Sequence, residues 1–591
     1  MTDSVTPFRP LALWRQFRPL LPYLRRYRAS LLIGGFMLLL TQFVWMLFPR
    51  VVGAAIDTLQ SQLTRDRLLT YALLLIVIAV ATGFFRFWMR WILIGVSRDI
   101  EYDLRNDLFA HLLRLSARFY SQQRVGDLMT RATSDLSYVR MVLGPGIMYS
   151  ANALIAFPIA ITWMVYLDWQ LTLLVLLPVP FVSYAVKYFG ERIHERSERI
   201  QAKFSELTAR VQENLAGVRL LRAFCQEEAE EQAFDRLNRE FMAQNQKLIV
   251  VQGLFWPALE VLLGIAFLLV LWFGGRAVLA GRITLGAFVA FTQYMLLLTW
   301  PMIALGWVVN LFERGAASMG RIQQLLATRP EIEDRTPGAV PARIQGGIEF
   351  RHLSFRYNGL PILRGINLVV EPGQTVAIVG PTGSGKSTLV GLLPRLYDPP
   401  PGSVLLDGVP IENYRLDALR RALGLVPQET FLFSTTLREN IAFGVEEASE
   451  EQIREAATIA GLAEEIASFP RGLDTVVGER GLTLSGGQKQ RTAIARALLR
   501  DPRILILDDA LSSVDTVTEE KILRRLSGVM RARTTFLISH RVSTVRHADL
   551  IIVLKEGEIV ERGTHEELIS RGGYYYDLYQ KQLLEEELER A

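Results

Sequence analysis

The chain of 591 residues contains few of the side chains that form disulfides and metal sites. Its single cysteine, Cys225, excludes an internal disulfide framework and any zinc or iron–sulfur site built from clustered cysteines, because each needs several thiols. Six histidines spread along the chain argue against a histidine-rich metal site. The formal net charge of +5 is small for this length, so no nucleic-acid partner is expected.

Charge is also scarce over long stretches of the first half. The chain is 50% hydrophobic and 21% charged, and its mean hydropathy of +0.22 is high for a soluble multidomain enzyme. Intervals without charge occur at residues 29–49, 68–85, 141–167, 169–186, 248–275 and 283–312, and only the fifth is interrupted, by Glu260. Because a helix needs about 20 apolar residues to cross the hydrocarbon core, we expect six spans within residues 29–320.

Six spans place both ends of the chain on the same side of the membrane. Residues 1–28, an expected N-terminal elbow, contain several arginines, and the positive-inside rule puts this segment in the cytoplasm. A signal peptide is the competing interpretation, but the first apolar run is too long and lacks an A-x-A-like cleavage site. We therefore expect a multi-pass protein of the cytoplasmic (inner) membrane with its C-terminal half in the cytoplasm.

Two long polar stretches separate spans two from three and four from five. In the first, Ile100, Leu104, Leu108 and Leu112 recur every fourth residue, which predicts an amphipathic helix continuing out of the membrane. Residues 191–247 have the same mixed-charge helical pattern. The sequence thus predicts long cytoplasmic helical extensions.

The composition changes after Arg321. Turn-forming residues mark a linker over residues 321–347. They are Arg329-Pro330, Thr336-Pro337, Pro341 and Gly346-Gly347. A soluble α/β domain is expected at residues 348–591.

A phosphate-binding motif opens this domain. The apolar run 375–379 predicts a buried strand, and it is followed by Gly380-Pro381-Thr382-Gly383-Ser384-Gly385-Lys386-Ser387-Thr388 and an apolar helical segment. This is G-x-x-x-x-G-K-[ST] in its strand-loop-helix setting, the P-loop or Walker A motif. Its glycines let backbone amides approach phosphate oxygens, Lys386 reaches the β- and γ-phosphates of ATP, and Ser387 can ligate Mg²⁺.

Two further motifs follow. Residues 504–508 form an apolar run that ends in Asp508, as expected of a Walker B aspartate that holds Mg²⁺. Between the two Walker motifs lies the segment Leu484-Ser485-Gly486-Gly487-Gln488. This LSGGQ segment resembles the signature of ATP-binding cassette (ABC) exporters.

The resemblance covers nearly the whole chain and implies further site residues. It implies that Tyr357 stacks on adenine, that Gln428 is the Q-loop residue and a ligand of Mg²⁺, that Asp515 belongs to the D-loop and that His540 is the switch histidine. Segments near Gly126 and Gly217 resemble the coupling helices of such exporters. In this family the signature of one subunit closes over ATP held by the other, which implies a dimer working by alternating access.

One residue departs from the family pattern. Active sites of this family usually carry Glu after the Walker B aspartate, where it polarises the attacking water, but this chain has Asp509. One methylene fewer withdraws the carboxylate by about 1.5 Å, and a base must be within hydrogen-bond reach of its proton. We therefore expect Asp509, with His540 and Gln428, to support only slow hydrolysis.

The combination of an intact signature with Asp509 resembles one subunit of bacterial heterodimeric multidrug exporters. It implies a partner half-transporter that has Glu after its Walker B aspartate and an altered signature opposite Lys386. Two alternatives are a homodimer in which Asp509 is the base and a regulatory ABC protein that senses ATP without transport.

The membrane half indicates less about cargo, for which drugs, lipids and peptides are all compatible. Arg86, Lys187 and Glu260 are costly in hydrocarbon and are expected to face the helix bundle. Pairing of Arg86 or Lys187 with Glu260 is one interpretation, and a cavity for charged cargo is the other.

Overall fold

A computed structural model describes residues 15–61, 64–334, 343–357, 359–478, 481 and 483–590. The predicted linker residues Thr336, Pro337 and Pro341 and the first half of the predicted elbow lie outside the described residues. The chain forms two compact units, one of residues 1–113 with 124–328 and the other of residues 114–123 with 329–591.

The described residues between 15 and 328 are mainly helical, and short turns join the helices. Their helices are α1 (Leu21–Arg26), α2 (Arg28–Ser61), α3 (Arg65–Arg114), α4 (Ala117–Gln122), α5 (Val125–Thr130), α6 (Leu136–Met141), α7 (Ile147–Leu167), α8 (Trp169–Leu176), α9 (Val179–Ala216), α10 (Val218–Ala223), α11 (Glu227–Leu269), α12 (Gly275–Leu279) and α13 (Leu285–Leu326). Short π-helical turns at Arg131–Asp135, Val142–Gly146 and Val270–Gly274 join their neighbours into longer helices.

Five of the six predicted spans have the length and hydropathy of membrane-crossing helices. These helices are Arg28–Gln60, Arg65–Arg114, Val125–Leu167, Trp169–Ala216 and Glu227–Leu279. The sixth predicted span lies in α13, whose described apolar part, Leu285–Thr299, is shorter than a full span. The sixth crossing therefore stays a prediction.

The same helix corrects the predicted start of the linker. α13 continues to Leu326, so residues 321–326, assigned to a linker by composition, are helical. No proline interrupts the chain between Pro301 and Pro330, and nothing else in that stretch requires the helix to end earlier.

Close packing joins α2 and α13. A Cβ on Gly53 would lie 2.5 Å from the carbonyl oxygen of Gly286, and a Cβ on Gly286 would overlap the carbonyl oxygen of Gly53. Asp57 accepts hydrogen bonds from the Thr284 hydroxyl at 2.6 Å and from the Gly286 amide at 2.7 Å. Only glycine at both positions permits this approach of the two backbones.

The predicted amphipathic helices beyond the apolar segments are confirmed. α3 continues to Arg114, with Ile100, Leu104 and Leu108 almost completely buried. The second polar stretch folds into α9, α10 and the start of α11. Ion pairs between Arg210 and Glu230, at 2.6 Å, and between Lys203 and Glu240, at 2.9 Å, join α9 to α11.

The second unit is an α/β domain built on two sheets. Its strands are β1 (Ile348–Tyr357), β2 (Leu360–Val370), β3 (Thr375–Val379), β4 (Val404–Leu406), β5 (Val409–Pro410), β6 (Leu423–Val426), β7 (Ile504–Asp508), β8 (Thr534–Ile538), β9 (Leu550–Lys555) and β10 (Glu558–Gly563). Its remaining helices are α14 (Lys386–Gly391), α15 (Leu416–Arg421), α16 (Leu437–Ala442), α17 (Glu450–Ile459), α18 (Ala463–Ser468), α19 (Gly486–Leu499), α20 (Thr516–Met530), α21 (Val542–Val545), α22 (His565–Arg571) and α23 (Tyr574–Arg590).

The larger sheet forms the centre of this unit. Its order is β10-β9-β3-β8-β7-β6, and the strands from β9 to β6 are parallel. Every residue of β3, β7 and β8 is buried, as expected of strands covered on both faces. The smaller sheet, with order β2-β1-β4-β5, is antiparallel.

Candidate functional site

Four parallel strands carry predicted site residues to one edge of the larger sheet. β3 leads into the loop that ends at Lys386, β7 ends at Asp508, and His540 lies two residues after β8. Gln428 follows β6, whose Val426 pairs with Leu507. The carboxyl ends of parallel strands meet at one edge, which is where open α/β sheets bind ligands.

The P-loop turns tightly between β3 and α14. Gly380, Gly383 and Gly385 have backbone φ angles of +149°, +81° and +100°, which residues other than glycine rarely adopt. A Cβ on Gly380 would overlap the carbonyl oxygen of Leu554, and one on Gly385 would lie 2.9 Å from the side chain of Leu363. The loop backbone is therefore fixed in a form that only these glycines allow.

Lys386 is folded back into this loop. Its side chain is 7% exposed, and its Nζ donates hydrogen bonds to the carbonyl oxygens of Gly380 at 2.9 Å and Pro381 at 3.0 Å. Burial lowers the pKa of the Lys386 ammonium, and the nearby carboxylates of Asp508 and Asp509 oppose this shift. The ammonium is thus held where a phosphate anion would stabilise it.

Asp508 is the buried carboxylate at the end of β7. Burial raises its pKa, the hydrogen bond from Ser387 opposes that shift, and the charge of His540 acts in the same direction as Ser387. Its Oδ1 is buried and has no hydrogen-bond partner. An oxygen left without a partner beside the Ser387 hydroxyl fits the oxygen chemistry of Mg²⁺, directly or through water.

Asp509 lies beside Asp508 in a different environment. Its φ of +49° turns the chain out of the strand, and its side chain is half-buried. Its amide donates to the carbonyl oxygen of Ile538 at 3.0 Å, and its own carbonyl oxygen accepts from the hydroxyl of Ser512 at 3.0 Å. These bonds fix the backbone from which the short carboxylate extends.

The signature segment forms the start of α19. Ser485 is its N-cap, and the side chains of Ser485 and Gln488 bond each other's backbone amides in a capping box. A Cβ on Gly486 would lie 3.3 Å from the Ser513 Cβ, and one on Gly487 would lie 3.0 Å from the Ser513 carbonyl oxygen. Glycine at both positions allows the D-loop to pack against the signature.

Sequence analysis did not single out Gln490, but the structure places it between three motifs. Its Nε2 donates to Ser512 Oγ at 2.9 Å and to the Asp509 carbonyl oxygen at 3.4 Å, and its Oε1 accepts from the Ser513 amide at 2.9 Å. Gln490 thereby joins the signature helix to the D-loop and to the residue after the Walker B aspartate. The D-loop itself ends at Asp515, which caps α20 by accepting from the Thr518 amide at 2.9 Å.

The loop that carries His540 is held from two directions. The His540 side chain is exposed, whereas its carbonyl oxygen accepts a hydrogen bond from Gln582 of α23. The same Gln582 accepts from the Val542 amide at 2.7 Å through its Oε1.

On the other side, the buried carboxylate of Glu519 in α20 accepts hydrogen bonds from Arg541 and from Thr544. Arg541 also donates to the Val514 carbonyl oxygen in the D-loop at 3.2 Å. Neither Gln582 nor Glu519 belongs to a recognisable motif, so sequence analysis missed both.

The remaining predicted residues lie at the edges of the site. The Tyr357 ring packs edge-on against Tyr397 and Phe355, with ring centroids 4.9 and 5.0 Å away. Gln428 is exposed after β6. Among the described residues, no hydrogen bond joins the signature, 484–488, to the P-loop, 380–388; its glycines pack against Ser513 of the D-loop instead.

The predicted ion pair in the membrane half is not present. In the part of the chain that the structure describes, neither Arg86 nor Lys187 pairs with Glu260. The guanidinium of Arg86 lies over the Trp45 ring instead, 5.5 Å from its centroid. The aromatic face of Trp45, on α2, is thus the partner of this arginine in place of Glu260, on α11.

Comparison with known proteins identifies the family. Residues 31–302 match the model of the ABC transporter transmembrane region, and residues 363–512 match that of the ABC transporter family. A probable multidrug resistance ABC transporter ATP-binding/permease protein, YheI of Bacillus subtilis, is 38% identical over 95% of this chain and 97% of its own length. The chain is an ABC transporter.

Other members support the same assignment of this ABC transporter. The multidrug resistance-like ATP-binding protein MdlA of Escherichia coli is 37% identical over 98% of both chains. The ATP-dependent lipid A-core flippase of Syntrophus aciditrophicus is 37% identical over 91% of this chain and 90% of its own. A solved bacterial Atm1-family ABC exporter with ATP bound has a TM-score of 0.77 at 31% identity and covers 95% of this chain and 98% of its own.

The family fixes the general activity of this ABC transporter. It is a multi-pass membrane protein of the exporter type, with a helical transmembrane domain and an α/β nucleotide-binding domain in one chain. It is also an ATPase whose hydrolysis is coupled to transport.

Proposed function

We propose that this ABC transporter exports hydrophobic or amphipathic compounds, such as drugs, lipids or peptides, across the cytoplasmic membrane. The names of two relatives refer to multidrug resistance and that of a third to a lipid A-core flippase, which supports this cargo range. The arginines before α2 support a cytoplasmic N-terminus and, with an even number of spans, a cytoplasmic nucleotide-binding domain.

ATP is proposed to bind at the P-loop edge of the larger sheet. The amides of the loop from Gly380 to Thr388 would face phosphate oxygens, Lys386 would contact the β- and γ-phosphates, and Tyr357 would stack on adenine. Ser387, Gln428 and Asp508 would hold Mg²⁺, which supplies positive charge to the phosphates. The orphaned Asp508 Oδ1 and the buried Lys386 ammonium support this arrangement.

Hydrolysis at this site is proposed to be slow. Asp509 would polarise the water, with His540 and Gln428 at the same edge of the sheet. A carboxylate shorter by one methylene needs its backbone to advance by about 1.5 Å to reach the same water. The bonds from Asp509 to Ile538 and Ser512 oppose that advance.

The observation that carries the proposed dimer is an intact signature in a chain that has Asp509. The capped, glycine-packed segment Leu484–Gln488 is proposed to close over ATP bound by a partner half-transporter. That partner would have Glu after its Walker B aspartate and an altered signature opposite Lys386. The pair would then hydrolyse ATP mainly at the partner's Walker site.

Transport is proposed to follow alternating access. ATP binding between the two nucleotide-binding domains draws them together, and the segments near Gly126 and Gly217 transmit closure to the membrane helices. Hydrolysis then resets the transporter. The helix breaks at Gln123, before α5, and at Gly217, between α9 and α10, support the assignment of these segments as separate coupling elements.

The test is MgATP hydrolysis by the purified chain in lipid nanodiscs, alone and with its partner. For the chain alone we expect little turnover, and we expect Asp509→Glu to raise it at least tenfold, because the longer side chain restores the reach of the base. Lys386→Ala in the same background is the control that assigns the gain to this site.

Robust turnover by the unmodified chain, abolished by Asp509→Asn and by Lys386→Ala, would instead establish the homodimer. Turnover of the complex without vectorial movement of any labelled lipid or dye in proteoliposomes would favour the ATP-sensing alternative over export.

A further inference from the structure

A cavity of about 240 Å³ lies among α2, α3, α7 and α13 of the first unit. Its polar and aromatic lining residues include Gln42, Trp45, Arg86, Arg90, Tyr149 and Asn152. Arg86 and Arg90 lie one helical turn apart on α3, so both side chains project from the same face of that helix.

The charge of this cavity is uncompensated. None of the described residues that line it is acidic, and within the described chain neither Arg86 nor Arg90 forms an ion pair. Both side chains are exposed in the structure, so a ligand can reach them, and two guanidinium groups at the end of an apolar segment are costly in lipid without a counter-charge. The Trp45 ring beneath Arg86 offsets only part of that cost, since a cation–π contact is weaker than a buried ion pair.

Other arginines of the first unit, unlike Arg86 and Arg90, have a carboxylate nearby. Arg282 pairs with Asp168 at 2.8 Å, and Arg98 pairs with Glu101 at 3.0 Å. Arg50 lies over the Trp163 ring at 4.3 Å and lines a different cavity, which contains Asp57. Arg86 and Arg90 are thus a pair of neighbouring cations in a cavity without a carboxylate.

The rest of the lining suits a polar headgroup joined to an apolar body. Gln42 is 7% exposed and donates a hydrogen bond to the Asn152 side-chain oxygen, so the Asn152 amide group keeps its own N–H donors. Trp45 and Tyr149 line the same cavity and offer aromatic surface to an apolar group.

We propose that this cavity binds the anionic group, a carboxylate or a phosphate, of an amphipathic cargo. Arg86 and Arg90 hold the anion by charge-assisted hydrogen bonds, Asn152 donates a further one, and the apolar part lies against Trp45 and Tyr149. This assignment of cargo charge rests on the proposed export function, because it places a transported compound in the membrane half.

A matched pair of ligands tests the proposal. Pyrenebutyrate carries a carboxylate, and pyrenebutyramide has the same body without the charge. Binding of each is measured by tryptophan quenching in nanodiscs of phosphatidylcholine, using the transporter with its partner. We expect Arg86→Gln/Arg90→Gln to weaken pyrenebutyrate binding at least tenfold and pyrenebutyramide binding less than twofold, because only the acid loses charge-assisted bonds.

Two variants control for folding and for charge in general. Arg86→Lys/Arg90→Lys retains both charges and is expected to recover most of the affinity for the acid. Arg50→Gln removes an arginine stacked on an aromatic ring outside the cavity and should leave both affinities unchanged.

A lipid source of the anion is tested by adding phosphatidylglycerol to the nanodiscs. Competition with pyrenebutyrate in the unmodified protein, absent in the double glutamine variant, would support the site and identify a lipid headgroup as one occupant. Equal binding of acid and amide, or affinities that the double variant does not change, would overturn the site. The proposed export function is tested separately, in proteoliposomes, and it is wrong if the transporter moves neither anionic nor neutral compounds. In that case the binding data still show whether the cavity is an anion-binding site.

Discussion

Asp508 and Asp509 are adjacent carboxylates with different surroundings. Asp508 completes a fully buried strand and is 6% exposed, and burial raises its pKa. Asp509 leaves the strand through a left-handed backbone conformation and is half-buried. Differences of this kind separate the roles of neighbouring acids, which are here the proposed metal ligand, Asp508, and the proposed base, Asp509.

The raised pKa of Asp508 predicts a pH dependence with a definite sign. The neutral acid persists to higher pH than usual, and coordination of Mg²⁺ requires the anion, so Mg²⁺ affinity should fall as the pH decreases toward this pKa. Mg²⁺ titrations of the ATP-loaded transporter between about pH 8 and pH 5 measure this. The fall should be less steep in Asp508→Asn, in which only the phosphates of ATP still take up protons.

The contribution of Asp508 to folding stability should change with pH in the direction opposite to Mg²⁺ affinity. Because its folded pKa is raised, its contribution to stability is present below the ordinary carboxyl pKa and is lost as the pH rises through the folded value. Asp508→Asn should therefore match or raise the Tm of the nucleotide-free protein at neutral pH and remove the increment that MgATP gives. A clearly lower nucleotide-free Tm would contradict the view that this carboxylate is strained without a cation.

At the scale of elements, the loop that carries His540 is held in place by helices that are distant from it in sequence. Gln582 in α23 binds the backbone on both sides of Arg541, and Glu519 in α20 binds Arg541 and Thr544. The loop between β8 and α21 is thus fixed by the C-terminal helix and by the helix that follows the D-loop. The position of His540 is a tertiary property rather than a consequence of its strand.

Gln582→Leu should therefore impair hydrolysis without weakening ATP binding. It removes both hydrogen bonds to the loop, and we expect kcat to fall about fivefold to tenfold with little change in KM, since the role proposed for His540 is in hydrolysis rather than in nucleotide affinity. The measurement uses MgATP turnover in the Asp509→Glu background, where this site is expected to work faster.

Two further variants separate positioning from stability. Gln582→Glu retains the acceptor for the Val542 amide but loses the donor to His540, so its kcat should lie between those of the parent and of Gln582→Leu. Asp577→Asn changes an exposed residue on the same helix and should have no effect. If kcat and Tm fall together, and to the same extent in Gln582→Leu, Gln582→Glu and Asp577→Asn, then Gln582 only stabilises the helix.

Sequence reasoning succeeded where one segment contains its own signal. The strands 375–379 and 504–508 are short apolar runs, and both have these boundaries in the structure. It failed where partners lie far apart: Gln490, Glu519 and Gln582 have no local pattern, and Arg86 stacks on Trp45 instead of pairing with Glu260. Contacts set by the fold leave little trace in a single sequence.

At the scale of the whole molecule, the proposed asymmetry predicts that two motifs of this chain differ in importance. The signature would serve the partner's competent site, whereas Lys386 would serve the slow one. In the complex with its partner, Ser485→Ala should lower kcat at least tenfold and Lys386→Ala less than threefold. Steady-state MgATP hydrolysis of the co-purified pair measures both.

The nucleotide-binding domain contains a second capping box that provides a matched control for the signature variant. Ser449 is also the N-cap of a capping box, at the start of α17, and Ser449→Ala removes the same hydroxyl and the same cap at a cost of about 1 kcal/mol. If Ser449→Ala lowers turnover as much as Ser485→Ala, the effect is only that of a lost cap. Equal losses from Ser485→Ala and Lys386→Ala, with Ser449→Ala unaffected, would mean two equivalent sites, because only in a symmetric dimer does each chain supply the Walker lysine and the signature of equally active sites.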